Sequence, residues 1–123
     1  MNEKQIKRLE GRIKRIKKSL AHLGEMRPGS LSRQYNVCGN PTCQCKNPEN
    51  PQRHGPYYQI SYSHKGKSRT EFVKKEMVEQ VKKQLKNYHT FRRLTQEWVE
   101  LSLEIARLHR EETRSRREHG QDF

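Results

Sequence analysis

A chain of 123 residues with 27 Lys and Arg against 14 Asp and Glu carries a formal net charge of +13, and only 29% of its residues are hydrophobic. The hydrophobic share of a typical globular domain is roughly 45–50%, so a large self-sufficient core is excluded; chains this polar add a metal, a helix partner or a polyanion to their apolar burial. No stretch reaches the roughly 18 apolar residues of a bilayer span and no apolar run follows the basic N-terminus as a signal peptide, so the expectation is a cytoplasmic protein with no membrane partner.

The charge is unevenly placed. Residues 1–27 hold nine cations and three acids, residues 28–75 eight and two, and residues 76–123 ten and nine. The excess therefore lies in the first 75 residues, where it creates a field that concentrates polyanions. The last third reads as a solvated helical surface.

In chain order, residues 1–26 form a basic heptad helix. Ile6, Leu9, Ile13, Ile16, Leu20 and Leu23 fall at alternating steps of three and four, with Lys and Arg over the other faces. So narrow an apolar stripe predicts coiled-coil pairing, within the chain or as a homodimer. Gly24, Pro28 and Gly29 end the helix, and the stretch from Ser30 to Pro56, dense in Asn, Pro, Gly and Cys, fits no regular element. A loop that long needs a cross-link. Residues 27–74 are thus read as a metal-stapled loop followed by a β-hairpin.

The hairpin follows from Tyr58, Ile60 and Tyr62 alternating with Gln59, Ser61 and Ser63, then the turn His64-Lys65-Gly66-Lys67, then Ser68 to Val73. A two-residue Lys65-Gly66 turn would set Ile60 against Glu71. A three-residue loop sets Ile60 against Phe72 and Tyr62 against Thr70, which gathers the apolar side chains on one face; this register is expected, with Gln59, Ser61, Ser63, Lys67 and Arg69 on the other face. From Lys75 to Arg117 no Gly or Pro interrupts a helical pattern running from Val78 to Leu108. Residues 75–117 are therefore one long helix, or two broken near Asn87 to Thr90, where consecutive steps of three (Tyr88, Phe91, Leu94) make a stammer. Residues 118–123 are read as a frayed tail. The fold class is α+β.

The chemistry is concentrated in Cys38, Cys43, Cys45 and His54, a C-x4-C-x-C-x8-H array. Three cysteines cannot all pair with one another, and thiolates with an imidazole suit a closed tetrahedral zinc site, so zinc is the expected cofactor. A redox-active thiol cluster and an iron–sulfur centre are the competing readings, the latter normally needing four Cys. For the fourth ligand, His64 at the hairpin turn competes with His54. A second set, Arg27, Arg33, Arg53, Lys65, Lys67 and Arg69 with Tyr35 and Tyr57, joins cations for phosphates to aromatics that can stack on bases.

The run Arg27-Pro28-Gly29-Ser30-Leu31-Ser32, the Cys-Gly-x-Pro-x-Cys-x-Cys box, His54-Gly55-Pro56-Tyr57-Tyr58 and Gly66-Lys67-Ser68-Arg69-Thr70 together resemble a bacterial family of short proteins of unknown function, often encoded near transposases and other mobile elements. The resemblance covers residues 26–108. It implies that the Cys box matters and brings no established activity. The hairpin is also similar to the arm-type β-sheet DNA-binding modules of tyrosine recombinases, a weaker likeness. No Ser-His-Asp, P-loop or paired-carboxylate pattern is present, so no enzymatic activity is expected. The expected function is a zinc-stabilised nucleic-acid-binding accessory protein, with DNA ahead of RNA as ligand. The alternative is a coiled-coil adaptor that recruits a protein partner such as a transposase.

Overall fold

The computed structural model describes residues 2–36, 40, 42–50 and 52–118. It is α+β: helix α1 (Asn2–Ala21), strands β1 (Ser30–Asn36), β2 (His54–His64) and β3 (Lys67–Val73), and helix α2 (Val78–Glu118). The expected tail falls almost wholly outside the described residues. Two compact units emerge, one from residues 1–23 and 89–123, the other from residues 24–88.

In the first unit the stripe of α1 is buried within the chain. Ile16 packs with Leu94 and Leu101, and Leu9, Ile13, Leu20 and Trp98 close around them. Asn2 Nδ2 donates to the Leu108 carbonyl at 3.3 Å and Arg12 pairs with Glu97 at 3.1 Å, so the two helices run in opposite directions. Trp98 is half-buried, with the Lys17 ammonium 5.1 Å from its ring centre. Every face of α1 outside the stripe carries charge, which keeps it in water.

The second unit is a three-stranded antiparallel sheet in the order β1-β2-β3, with α2 starting against one face. Ile60 on the central strand is fully buried, packed with Val81 and Leu85 of α2 and flanked by Leu31 and Val73. The segment between α1 and β1 is tied to α2: Arg27 N–H donates to the Gln84 carbonyl (3.2 Å), and Asn87 Nδ2 to the Glu25 carbonyl (2.8 Å). Here α2 is one unbroken helix, passing through the stammer without a break. A 3-10 turn, Lys75–Met77, leads into it.

Three expectations are corrected. The stretch from Ser30 holds a strand, β1, so the hairpin is two-thirds of a sheet. β1 needs only one inward apolar residue, Leu31 opposite Ile60, because an edge strand buries little. The register differs by one residue from that expected: Ile60 faces Glu71, Tyr62 faces Arg69 and Gln59 faces Phe72. Turn geometry decides this, since Lys65 and Gly66 both take positive φ (51° and 77°), the two-residue turn whose twist matches that of the strands. The predicted polar grouping dissolves with it: Lys67 and Arg69 share the face of Ile60, while Ser68 and Thr70 join Ser61 and Ser63 on the other.

Candidate metal and nucleic-acid sites

β2 begins at His54, which pairs with Asn36 at the end of β1. The intervening loop folds back through short side-chain turns. Thr42 donates through its N–H (3.0 Å) and hydroxyl (2.8 Å) to Asn40 Oδ1, and Glu49 N–H donates to Asn47 Oδ1 (3.0 Å). Asn in such turns replaces a backbone acceptor with its own side chain. A 3-10 turn at Gln44–Lys46 follows, and Gln52 N–H donates back to the Gln44 carbonyl at 3.1 Å, returning the chain to β2.

That return sets Cys43 Sγ 3.1 Å from His54 Nε2, both side chains half-buried. A tetrahedral zinc bound at ~2.3 Å to sulfur and ~2.0 Å to nitrogen holds the two about 3.5 Å apart, so the pair fits such an ion with an adjustment of a few tenths of an ångström. The Cys45 backbone lies in the 3-10 turn two residues on; its side chain and all of Cys38 lie outside the described residues. Among the described residues no group of three or more His, Cys, Asp or Glu gathers that could hold a metal ion, here or elsewhere. His64 ends the same strand that His54 begins, ten residues and roughly 33 Å along an extended chain, so it does not meet Cys43.

The eight residues expected to meet nucleic acid are not brought to one surface. Arg33, Tyr35, Lys67 and Arg69 belong to the sheet face that α2 covers at its centre, and stand along its two edge strands. The Arg33 guanidinium lies 5.8 Å from the Tyr35 ring centre, and Tyr35 is 46% exposed. Lys65 occupies the hairpin turn, and Arg53 is exposed in the residue before β2. Arg27 is engaged within the chain: it pairs with Glu71 at 3.1 Å and lies 5.9 Å from the Tyr62 ring centre, while Tyr62 Oη donates to the same carboxylate at 3.0 Å. The hydrogen bonds from Arg27 and Tyr62 hold the Glu71 carboxyl below its ordinary range, and the nearby Arg69 charge adds to the shift.

Tyr57 lies on the opposite, open face. The register places Ser30, Ser61 and Thr70 in one row there, Ser32, Gln59 and Phe72 in the next, and Gln34 with Tyr57 in a third. Ser61 and Thr70 hydroxyls meet at 3.2 Å, those of Ser63 and Ser68 at 3.0 Å. Among the described residues of these rows none is charged, in a chain that is one-third charged. Phe72 is 76% exposed and Tyr57 41%. The apolar pattern alone places Phe72 against Ile60; the two-residue Lys65-Gly66 turn sets it across from Gln59 on the open face and is the sequence signal for that placement. Where β1 stops short of the hairpin end, a groove of about 390 Å³ runs past Gly29, Ser30, Ser63, Ser68 and Arg69.

A search of curated proteins and one of solved structures gave no match. Matched over residues 6–83, a span that carries most of α1, the Cys43–His54 pair and the whole sheet, the chain belongs to the family described as Domain of unknown function (DUF6788).

Proposed function

We propose that the protein binds nucleic acid through its sheet unit, and that a zinc ion held by Cys38, Cys43, Cys45 and His54 staples the loop between β1 and β2. The observation that carries this reading is the distribution of charge about the sheet. Residues 28–75 hold eight cations and two acids, and one of those acids, Glu71, is already paired with Arg27. The cations flank the sheet at its edges and turn, while the open face offers amides, hydroxyls and two aromatic rings. Phosphates at a cationic rim and bases over a polar face is the division of labour by which such surfaces bind. DNA stands ahead of RNA on the resemblance of the sequence to short bacterial proteins encoded beside transposases, which also supports an accessory role on a mobile element. Binding rather than catalysis is favoured because the Cys–His pair is embedded in a cysteine-rich loop suited to a closed site.

One observation favours a second reading, an adaptor that recruits a protein. Val99 and Leu103, one helical turn apart on α2, are 54% and 66% exposed beside Trp98. A partner docked there would be lost on Leu103→Glu, with nucleic-acid affinity untouched.

The test is a salt titration. Affinity for nucleic acid falls by roughly 10³ to 10⁵ between 50 and 200 mM salt if six to ten phosphates are engaged. Reversing Lys67 and Arg69 to Glu weakens binding to every sequence and flattens the salt slope. Reversing Arg107 and Arg110 does much less, since Arg107 is already paired with Glu104 and Glu111. Absence of binding to either DNA or RNA at 50 mM salt overturns the reading.

A further inference from the structure

The reading above leaves open whether the ligand is paired or unpaired, and the open face of the sheet bears on this. A duplex offers its bases only edge-on, so a protein that reads one puts hydrogen-bonding and cationic side chains into a groove. An unpaired strand offers the flat faces of its bases, and these are taken up by aromatic rings lying open on a surface. The open face holds two such rings. Phe72 sits directly across from Gln59, and Tyr57 is two residues along from Gln59 on the same strand, so the rings are diagonal neighbours on one face. Diagonal positions in an antiparallel pair are about 7–8 Å apart, within reach of each other for aromatic side chains.

A phenylalanine exposed to 76% is costly to leave in water, and it has no structural duty here: the core of this unit is built from Ile60, Val81, Leu85, Leu31 and Val73 on the other face. Around the two rings are Gln34, Gln59 and Ser32, short amides and a hydroxyl that can meet base edges, and Ser32 Oγ already donates to the Gln59 carbonyl at 3.4 Å. Lys74 follows Val73 in extended backbone beyond Phe72 and is exposed, a cation beside the platform. The occupant is fixed by the combination of flat apolar rings, uncharged hydrogen-bonding groups and a surrounding positive excess. A protein partner of the apolar kind would want a face free of glutamines and serines, and an acidic peptide would want cations on the face itself.

We propose that the open face of the sheet is a stacking platform for unpaired nucleobases, with Phe72 and Tyr57 each taking one base, so that the preferred ligand is single-stranded nucleic acid. The proposal rests on the nucleic-acid reading and is separable from it. The experiment measures binding of the full-length chain to one labelled mixed-sequence oligonucleotide as single-stranded DNA, single-stranded RNA and duplex at about 50 mM salt. The single strands bind more tightly than the duplex, and whichever of them binds more tightly identifies the sugar. Phe72→Ala lowers single-strand affinity by about 5- to 140-fold, the equivalent of roughly 1–3 kcal/mol per stacked base, and Tyr57→Ala does the same, while Phe72→Trp keeps affinity. Because Phe72 is exposed, the melting temperature of the sheet unit is unchanged in Phe72→Ala, which separates lost stacking from lost folding. If the duplex binds as tightly as the single strands and Phe72→Ala is silent while Lys67→Glu still weakens binding, the platform is overturned and the nucleic-acid reading stands. If no form binds, both fall. If the native chain self-associates and Phe72→Ala abolishes that, the face belongs to a second copy of the chain and the proposal is overturned.

Discussion

Cys43 Sγ lies 3.1 Å from His54 Nε2, joining the middle of the loop to the first residue of β2. If the pair is half of a zinc site, protein purified from zinc-replete medium carries about one zinc per chain, and Cys43→Ser and His54→Ala lose it while His64→Ala retains it. Chelation loosens the loop, read as faster proteolysis between β1 and β2. Less than about a tenth of an equivalent of zinc in the native protein would sink the assignment.

Glu71 binds both Arg27 and Tyr62, and its carboxyl is held below the ordinary 4.5. A depressed carboxyl stabilises the fold above its unfolded-state value and loses that contribution as pH falls through the lowered folded-state value. The melting temperature of the sheet unit is therefore flat above pH 5 on this account and declines in acid, whereas Glu71→Gln removes that component of the decline. The carboxylate is exposed, so added salt shrinks the difference between the two proteins. Identical acid profiles for native protein and variant would show that the pair contributes nothing.

Gly29 has φ of +133°, and a Cβ built on it would stand 2.8 Å from the Ser61 carbonyl oxygen and 3.0 Å from Ile60 Cγ1. Both neighbours are fixed, one by the β1–β2 ladder and the other by the core. Gly29→Ala combines a backbone conformation that side chains avoid with a clash, and destabilises the sheet unit by about 1–3 kcal/mol in urea unfolding.

Trp98→Ala costs about 1–3 kcal/mol, less than the ~3–5 kcal/mol of a fully buried aromatic, because the ring is half-buried and part of what it contributes is the Lys17 charge above it. Lys17→Gln recovers only the cation share, roughly 0.5–1 kcal/mol at an exposed site. Trp98 is the single tryptophan, so its fluorescence reports directly on the unit built from α1 and the later part of α2.

The elements with strong periodicity were legible in the sequence. The stripe of α1 holds through Gly11, although the helix ends at Ala21, short of the expected limit at residue 26, and α2 runs unbroken because no Gly or Pro interrupts its repeat. β1 was not legible: Leu31 is the one apolar residue among Ser30, Ser32, Arg33 and Gln34 and is only partly buried, too little alternation to mark a strand that exists because β2 presents it an edge. The hairpin was legible but its register was not, since two pairings differ by one residue and only the turn's positive φ values discriminate between them. The closeness of Cys43 and His54 agrees with the local clustering expected from the C-x4-C-x-C-x8-H spacing. That His64 lies far from Cys43 was not legible, because it follows from the length of β2.

α2 is a 41-residue helix that contributes to two hydrophobic clusters, one with Ile60 through Val81 and Leu85, the other with Ile16 through Leu94 and Leu101. Most helical stability in proteins comes from packing of an apolar face, so the turns around Val81 and Leu85 draw theirs from the sheet and those from Leu94 to Leu101 from α1. Heating therefore meets two cooperative blocks sharing one backbone, and a single melting temperature does not describe the chain. Amide hydrogen exchange resolves them: protection around Val81 and Leu85 rises and falls with that of Ile60, while protection around Leu94 to Leu108 follows α1, with the seam between Tyr88 and His89.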